Sequence, residues 1–263
     1  MNIKYITSIS IILILPLFFM SCEKEIHVDL HSSEPRIVIE GQIQLDSLAT
    51  VMITESKDYH TDNTYNTING AIVSISDNAG NSEILIQNAD GIYMAQNMRG
   101  VVGQTYYLSV KIDEVKYTSM STLPTAVSID TVTMYNIPAL DYPYPMVIFQ
   151  DPPIEKNFYR CRYYVNGKRI LIDDDLVDTK DRNGFTVERI LPVFEDRNDD
   201  KKIVRGDIIK VELHSIDESV YRYFEALAKI ETSLTNPTTN IEGGALGYFS
   251  AYAVDTMTIS ANW

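Results

Sequence analysis

The feature that most constrains the fold is a series of short segments in which apolar and polar residues alternate. In residues 71–76 (AIVSIS), Val73 and Ile75 share one side of the segment, and Ser74 and Ser76 share the other. A period of two is typical of a β-strand with one buried face. Such segments recur between Gly-, Asn- and Asp-rich turns at a spacing of about 8–12 residues, which predicts a β-sandwich.

Tight turns predict hairpins between neighbouring strands. The predicted hairpins are residues 71–87, turning at the cluster DNAGN, residues 105–119, turning at Asp113-Glu114, and residues 157–172, turning at Asn166-Gly167. Asn-Gly is the strongest of these signals, because both residues tolerate the positive φ angles of a type I′ turn. The sequence therefore predicts a mainly β chain with many local strand pairs.

The cysteine content and the net charge indicate what stabilises the fold and which ligands are excluded. The only cysteines are Cys22 and Cys161, and Cys161 lies in the strand-like run FYRCRYY. We expect Cys161 to be a buried, inert thiol, and apolar cores rather than disulfides to hold the fold together. The net charge of −14 argues against nucleic acid or anionic lipid as a ligand.

The first 21 residues have the three zones of an export signal. Lys4 is the only charge, residues 9–20 are almost wholly apolar, and Ser21 precedes Cys22. The apolar stretch is shorter than the roughly 20 residues that a membrane span needs. Residues 17–22 (LFFMSC) resemble the lipobox of Bacteroidetes lipoproteins, which implies that the thiol of Cys22 carries lipid.

Charge follows this cysteine at once, in residues 23–25 (EKE). This pattern resembles the export tag that sends Bacteroidetes lipoproteins to the outer face of the outer membrane. Two other interpretations of the leader stay open: an ordinary signal peptide with a chance cysteine, and an uncleaved anchor helix. The charged residues also suit any polar tether.

The chain is predicted to consist of four parts. They are a lipoprotein signal peptide (1–21), a tether (22–35), an Ig-like β-sandwich (36–123) and a second β-rich domain with one helix (124–263). Pro124 marks the boundary, since proline cannot donate a hydrogen bond to a strand ladder. The stretches AIVSISDNAGN, DGIYMA and GQTYYLSVKIDEVKYTSMSTLP resemble transthyretin-type Ig-like sandwiches. That resemblance implies a core position for Tyr93, and we expect Tyr107 to be a core packing residue as well.

One helix is predicted, over about residues 217–234. The sequence Ser215-Ile216-Asp217-Glu218 matches a capping box. In this motif the Ser215 hydroxyl accepts a hydrogen bond from the backbone amide of Glu218, and the Glu218 side chain accepts one from the backbone amide of Ser215. Apolar residues then repeat at helical spacing and predict packing on a sheet; they are Val220, Phe224, Leu227, Ile230 and Leu234.

Three glycines follow within five residues, at Gly243, Gly244 and Gly247. Glycine allows unusual φ angles and close backbone approach. The approach could be to the backbone of a ligand or to another segment of this chain, and we favour the structural interpretation.

No catalytic motif is present, so we expect no enzyme activity and no cofactor. Asp196, Asn198 and Asp200 are spaced like the ligands at positions 1, 3 and 5 of a calcium-binding loop. Lys201 stands where that loop needs glycine, and Asp207 stands where it needs a bidentate glutamate. A solvated loop is therefore favoured over a calcium site.

The segment YNIPALDYPYP, residues 135–145, is the best sequence candidate for ligand or partner binding. Its prolines stiffen the chain, and rigid tyrosines offer contact area at low entropic cost. Tyr135, Tyr142 and Tyr144 are the predicted contact residues. The alternative is an ordinary linker that covers a sheet edge.

Motifs along the chain resemble one Bacteroidetes lipoprotein family, a domain of unknown function. They are SCEKEI, IVIEG, STLP, FQDPP, NFYRCRYYVNG, ESVYRYFEAL and NPTTNIEGGALGYFSAYAV. Such proteins are typically encoded beside TonB-dependent receptors. The resemblance implies a surface-exposed, lipid-anchored outer-membrane protein that assists such a receptor or binds its substrate. The alternatives are a free-standing adhesin or structural surface module, and a hydrolase with an unrecognised site.

Overall fold

The computed structural model describes residues 34–57, 66–137, 143–153, 156–170, 176–179, 183–191, 203–233 and 235–263. Within these ranges the fold is mainly β, as predicted, with one helix longer than a single turn. Pro35–Trp263 forms one compact unit. Among the described helices, none has the length and apolar character needed to cross a bilayer.

The described strands up to the predicted boundary at residue 123 are β1 (Ile37–Gln44), β2 (Leu48–Glu55), β3 (Asn66–Thr67), β4 (Ile72–Asp77), β5 (Ser82–Ile84), β6 (Ile86–Ala89), β7 (Ile92–Arg99), β8 (Thr105–Ile112) and β9 (Val115–Thr122). The later strands are β10 (Ile129–Asn136), β11 (Pro143–Gln150), β12 (Phe158–Val165), β13 (Lys168–Ile170), β14 (Leu176–Asp178), β15 (Thr186–Ile190), β16 (Ile208–Ile216), β17 (Ile241–Glu242) and β18 (Leu246–Ser260). The helices are α1 (Glu218–Ala228) and α2 (Ile230–Ser233).

These strands form three sheets. The large sheet has ten strands, in the order β13-β12-β16-β18-β1-β2-β7-β6, with β14 paired to β12 and β3 paired to β2. A second sheet has the order β17-β9-β8-β4-β5, and a third has the order β10-β11-β15.

The long strand β18 joins the two halves of the chain. Its first part pairs in parallel with β1, where Val38 lies opposite Leu246. Its second part pairs antiparallel with β16, where Leu213 lies opposite Asp255. The domain boundary near residue 123 stays a prediction, but strands from both of its sides are hydrogen-bonded into one sheet.

Three buried hydrophobic clusters hold the described elements together, and the third packs helix α1 on the large sheet, as predicted, through Val220 and Phe224. The first lies between the large sheet and the five-stranded sheet, and its members include Ile39, Ile53, Val73, Leu108 and Phe249. This sandwich-like arrangement agrees with the prediction for the N-terminal part. The second core contains Val147, Phe149, Tyr159, Cys161 and Leu213. Cys161 is fully buried there, as expected.

The two tyrosines predicted to be core residues differ in the structure. Tyr93 is buried, and its hydroxyl donates to the Ile68 carbonyl at 3.0 Å. Tyr107 is 44% exposed, and its neighbour Tyr106 occupies the core instead. The prediction for Tyr107 was wrong by one residue. Alternate residues of a strand point to opposite faces, so a shift of one position exchanges the two sides.

The predicted hairpins are confirmed. β4 pairs with β5, β8 with β9, and β12 with β13, all antiparallel. Asn166 and Gly167 have φ angles of 49° and 82°, which are the signs that a type I′ turn requires.

The helix begins later than the capping box predicts. Asp217, not Ser215, is the N-cap, and its side chain accepts a hydrogen bond from the Val220 amide at 2.9 Å. Ser215 is a strand residue of β16, where it lies opposite Tyr159 and Ala253. Strand pairing on both sides of β16 therefore carries the sheet through Ser215 and delays the helix.

The glycine-rich segment makes close approaches within the chain. A Cβ atom at Gly247 would lie 2.1 Å from the Ile39 carbonyl oxygen, and one at Gly243 would lie 2.7 Å from the Lys116 carbonyl oxygen. A Cβ atom at Gly244 would meet nothing within 4 Å. The structural interpretation of Gly243 and Gly247 is confirmed.

Candidate functional site

Side chains of four neighbouring strands meet beside helix α1 on the face of the large sheet that is turned away from the first two cores and carries the third cluster. They line a small cavity of about 20 Å³, about the space that one water molecule needs. We call this cavity the sheet-face pocket. Its lining residues are Gln42, Arg160, Arg162, His214, Ile216, Phe224, Tyr248, Ser250 and Tyr252.

Strand register brings these residues together. Arg160 lies opposite His214 across β12 and β16, and Gln42 lies opposite Ser250 across β1 and β18. The arginines alternate with Tyr159, Cys161 and Tyr163, which are buried in the second core. The period of two therefore turns every second residue of β12 towards the pocket.

Glu212 is the best-bonded carboxylate near the pocket. It accepts hydrogen bonds from Lys210 Nζ at 2.7 Å, His214 Nε2 at 3.1 Å and Tyr164 Oη at 3.2 Å. The hydrogen bond from His214, followed by that from Lys210, lowers the pKa of Glu212 to about 2. Glu212 is therefore a carboxylate near neutral pH, and its acceptors are already in use.

His214 is held as a neutral ring. Burial lowers the pKa of His214, and the nearby arginines act in the same direction, although Glu212 opposes them. The ring stacks on Tyr252 with centroids 5.1 Å apart and an interplanar angle of 17°. A neutral ring that donates from Nε2 to Glu212 contributes a flat wall to the pocket rather than a charge.

The two pocket arginines have different surroundings. The guanidinium of Arg160 lies 3.6 Å from the centroid of the Phe224 ring, a cation–π contact with helix α1. Arg162 Nε is shielded from solvent and has no hydrogen-bond partner in the described part of the chain. Arg162 lies opposite Glu212 in register, but the carboxylate of Glu212 is bonded to Lys210, His214 and Tyr164.

Aromatic rings close the side of the pocket under the helix. Tyr248 lies 5.0 Å from Tyr223 and 4.9 Å from Phe224 between ring centroids. Burial raises the pKa of the Tyr248 hydroxyl, and the charge of Glu40 adds to this effect. The wall is therefore neutral, with hydroxyl groups that can donate or accept hydrogen bonds.

A larger cleft, of about 430 Å³, lies beside the N-terminus of helix α1. Its charges neutralise each other: Glu218 accepts hydrogen bonds from Lys156 Nζ at 2.9 Å and Arg222 Nη2 at 2.7 Å. Lys156 also lies 4.6 Å from the centroid of the Phe158 ring. Because these ions are already paired, the cleft offers a ligand less unsatisfied charge than the sheet-face pocket does.

The predicted contact tyrosines do not form one surface. Tyr135 is 41% exposed on β10, whereas Tyr144 on β11 is only 3% exposed. Tyr142 lies outside the described residues. Partner binding by this segment stays a prediction for Tyr135 and Tyr142. Tyr144 is a packing residue, because β11 lies between β10 and β15 and is buried over most of its length.

Two further predicted sites fall outside the described residues. They are the lipidation site Cys22 and the weak calcium candidate Asp196, Asn198 and Asp200. Among the residues that the structure does describe, no group of three or more His, Cys, Asp or Glu side chains could hold a metal ion. Both predictions are unchanged by the structure.

Sequence reasoning did not find the sheet-face pocket. The signal was present in β12, where Arg160 and Arg162 flank Cys161, and in β18, where Tyr248, Ser250 and Tyr252 alternate. Each set is an ordinary polar strand face by itself. Only the order of β12, β16, β18 and β1 in the large sheet brings them side by side.

Comparison with known proteins gives a family but no activity. No curated protein matches this sequence. The family described as "Domain of unknown function (DUF4249)" matches residues 23–258, which is most of the chain. This match confirms the predicted resemblance to a family of unknown function, and the chain belongs to that family.

Proposed function

We propose that the protein is a ligand- or partner-binding module, anchored to the outer face of the outer membrane through lipid on Cys22, that assists a TonB-dependent receptor. The observation that carries the proposal is the lipobox-like LFFMSC, followed by a charged tether and a compact β-rich unit from Pro35. Two or more acyl chains on one cysteine give stable membrane anchoring.

The short tether supports work at the membrane surface. Thirteen residue steps separate Cys22 from Pro35, and a chain of this length spans at most about 45 Å when fully extended. The β-rich unit would therefore stay within reach of the outer loops of a receptor in the same bilayer. This closeness raises the effective concentration of one partner for the other.

The surface of the β-rich unit supports binding. The sheet-face pocket combines arginine, histidine and tyrosine side chains, which suit recognition of a polar ligand. The outer face of the five-stranded sheet exposes apolar side chains that a protein partner could cover; they are Ile72, Ile84, Tyr107 and Met120. This second surface also suits the alternative, a free-standing adhesin or structural module.

The anchor is tested with the substitution Cys22→Ser in the full chain, expressed in a host with a lipoprotein pathway. Wild-type protein should incorporate radioactive palmitate and sediment with outer membranes, and C22S should do neither. Cys161→Ala is the matched control, since Cys161 is fully buried, and it should keep the label. Labelled or membrane-bound C22S would overturn the anchor.

The receptor is tested by purifying the wild-type protein in mild detergent from native outer membranes. Co-purification of a TonB-dependent receptor in a fixed ratio supports the proposal. A protein that elutes alone, but binds host or neighbouring-cell surfaces when intact cells are mixed, would support the adhesin instead.

A further inference from the structure

We propose that the sheet-face pocket binds an anionic group of a ligand, a carboxylate or a phosphate, with Arg162 as the principal partner. This inference deepens the proposed function by naming the chemistry of the ligand, and it rests on that function only in taking the protein as a binding module. It requires neither the lipid anchor nor the receptor.

The first observation is the state of Arg162. Its Nε is cut off from solvent without an acceptor, and no described carboxylate forms an ion pair with its guanidinium. A shielded N–H donor without a partner is costly, and native proteins rarely leave one in this state. An anion in the pocket would supply the missing acceptor.

The second observation is that the nearest carboxylate has other partners. Glu212 lies opposite Arg162 in register, yet its hydrogen bonds go to Lys210, His214 and Tyr164. Elsewhere on the surface, Arg222 pairs with Glu218 at 2.7 Å. Arg162 therefore differs from an ordinary surface arginine such as Arg222, because both oxygens of its neighbouring acid already accept hydrogen bonds from other residues.

The third observation is the local charge. Arg160 and Arg162 both act on the electrostatics of His214 and Tyr248, so the positive field reaches the inside of the pocket. The whole chain has a net charge of −14. The acids Glu40 and Glu212 act on the same groups, but Glu212 is already paired with Lys210, so Arg162 keeps a positive charge that favours an anion.

Size and geometry set the ligand class. The volume of about 20 Å³ is about that of one water molecule, so the pocket would take only one oxygen of an anionic group, and the rest of the ligand would lie outside it. The planar guanidinium matches the two oxygens of a carboxylate or phosphate. Ser250 and Gln42 line the same cavity and offer a hydroxyl and an amide to the remaining oxygens.

The test uses the full mature chain purified in detergent, titrated separately with citrate and with inorganic phosphate. Binding is measured by calorimetry, and the Nε–H resonance of Arg162 is followed by NMR with ¹⁵N-labelled arginine. We expect one of the two anions to bind and to shift this resonance, and the binding anion distinguishes carboxylate from phosphate ligands. Glucose, an uncharged probe, should have no effect.

Two variants separate recognition from folding. Arg162→Gln should weaken anion binding at least tenfold, and Arg222→Gln, at an exposed and paired arginine, should leave it unchanged. In the absence of anion, R162Q should match or exceed the wild-type Tm, because it removes a shielded Nε–H donor that has no acceptor. A purely structural arginine would give the opposite shift in Tm.

The proposal is overturned if neither anion binds folded wild-type protein at tens of millimolar, or if R162Q binds as tightly as wild type. Should R162Q fail to fold, an unshifted Arg162 resonance in anion-saturated wild-type protein overturns it equally. Because no receptor or membrane is present, a failure here leaves the receptor proposal intact, and failed receptor co-purification leaves the anion result intact.

Discussion

Asp217 and Ser121 lie 96 residues apart in the sequence, yet the Ser121 hydroxyl donates a hydrogen bond to Asp217 Oδ2. Asp217 Oδ1 meanwhile caps helix α1 through the Val220 amide. The Ser121 oxygen in turn accepts a hydrogen bond from the Ala251 amide at 2.8 Å. The start of the helix, the end of β9 and the middle of β18 are thereby fixed to one another.

The substitution Asp217→Ala should therefore cost more than an ordinary helix cap. It removes the cap and leaves the buried Ser121 hydroxyl without its acceptor, so we expect a loss of about 2–3 kcal/mol in the free energy of unfolding. Urea denaturation measures this loss. Asp217→Ser can still cap the helix and should cost less, and Asp130→Ala, at an exposed strand position, is the control. A D217A variant as stable as D130A would contradict the prediction.

The close approach of β18 to β1 predicts a severe effect at Gly247. Gly247 and Gly244 have φ angles of +96° and +91°, but only a Cβ atom at Gly247 would collide with backbone, at the Ile39 carbonyl. Gly244→Ala should cost about 1–2 kcal/mol from the positive φ alone. Gly247→Ala should lose at least twice as much or fail to fold, as seen by thermal denaturation. Equal losses would show that the collision is easily relieved.

A buried carboxylate in the second half of the chain predicts energetic coupling. Asp151 is fully buried and accepts hydrogen bonds from Tyr159 Oη at 2.6 Å and Thr179 Oγ1 at 3.1 Å. Asp151→Asn should cost about 3 kcal/mol, since a neutral amide oxygen is a weaker acceptor for the two hydroxyls and the amide NH2 group would face the Gly184 N–H, which now donates to Asp151 Oδ2. Tyr159→Phe should cost about 1–2 kcal/mol by removing one donor to the charge.

The double variant D151N/Y159F decides whether this pair is coupled. Its loss of stability should fall short of the sum of the two single losses, because D151N weakens the same hydrogen bond that Y159F removes. Chemical denaturation of the four proteins gives the coupling energy. Strictly additive losses would contradict the prediction.

The pair of Glu212 and His214 predicts a loss of stability at acid pH in two steps. Burial lowers the pKa of His214 from its ordinary 6.5. Below about pH 6.5 the histidine is therefore protonated in the unfolded chain but still neutral in the folded chain, and the free energy of unfolding decreases as the pH falls. The pKa of Glu212 falls from 4.5 to about 2, first through the hydrogen bond from His214. Its contribution is complete above about pH 4.5 and is lost between there and about pH 2.

Urea denaturation between pH 8 and pH 3 tests both steps. His214→Asn should remove the decline that starts near pH 6.5, and Glu212→Gln should flatten the decline below about pH 4.5. Glu114→Gln, at a side chain that is 97% exposed, should leave the profile unchanged. A wild-type profile that is flat from pH 7 to pH 5 would contradict the assignment of His214.

Several features followed from the sequence because they depend on neighbouring residues. The Asn166-Gly167 turn, the hairpin of β4 and β5 and the buried position of Cys161 were all predicted correctly. Turn residues carry their own φ preferences, and alternation marks a half-buried strand wherever it occurs. The mainly β class was predictable for the same reason, whereas the family of unknown function followed from the resemblance of motifs along the chain.

Other features depended on which distant segments meet. Asp217 rather than Ser215 caps the helix. Ser215 is paired with strands on both sides of β16, and this strand pairing outweighs its local preference for a helix cap. Tyr106 rather than Tyr107 is buried because the facing sheet sets the side of β8 that lies inward.

The sequence by itself determined most of the strands and the tight turns. The tertiary structure alone decided that β12, β16, β18 and β1 lie side by side and that Arg162 lies beside a carboxylate whose two oxygens already accept hydrogen bonds from other residues. The physical reason is that strand-forming tendency is a property of a few adjacent residues, whereas sheet order and register are properties of the whole packed chain.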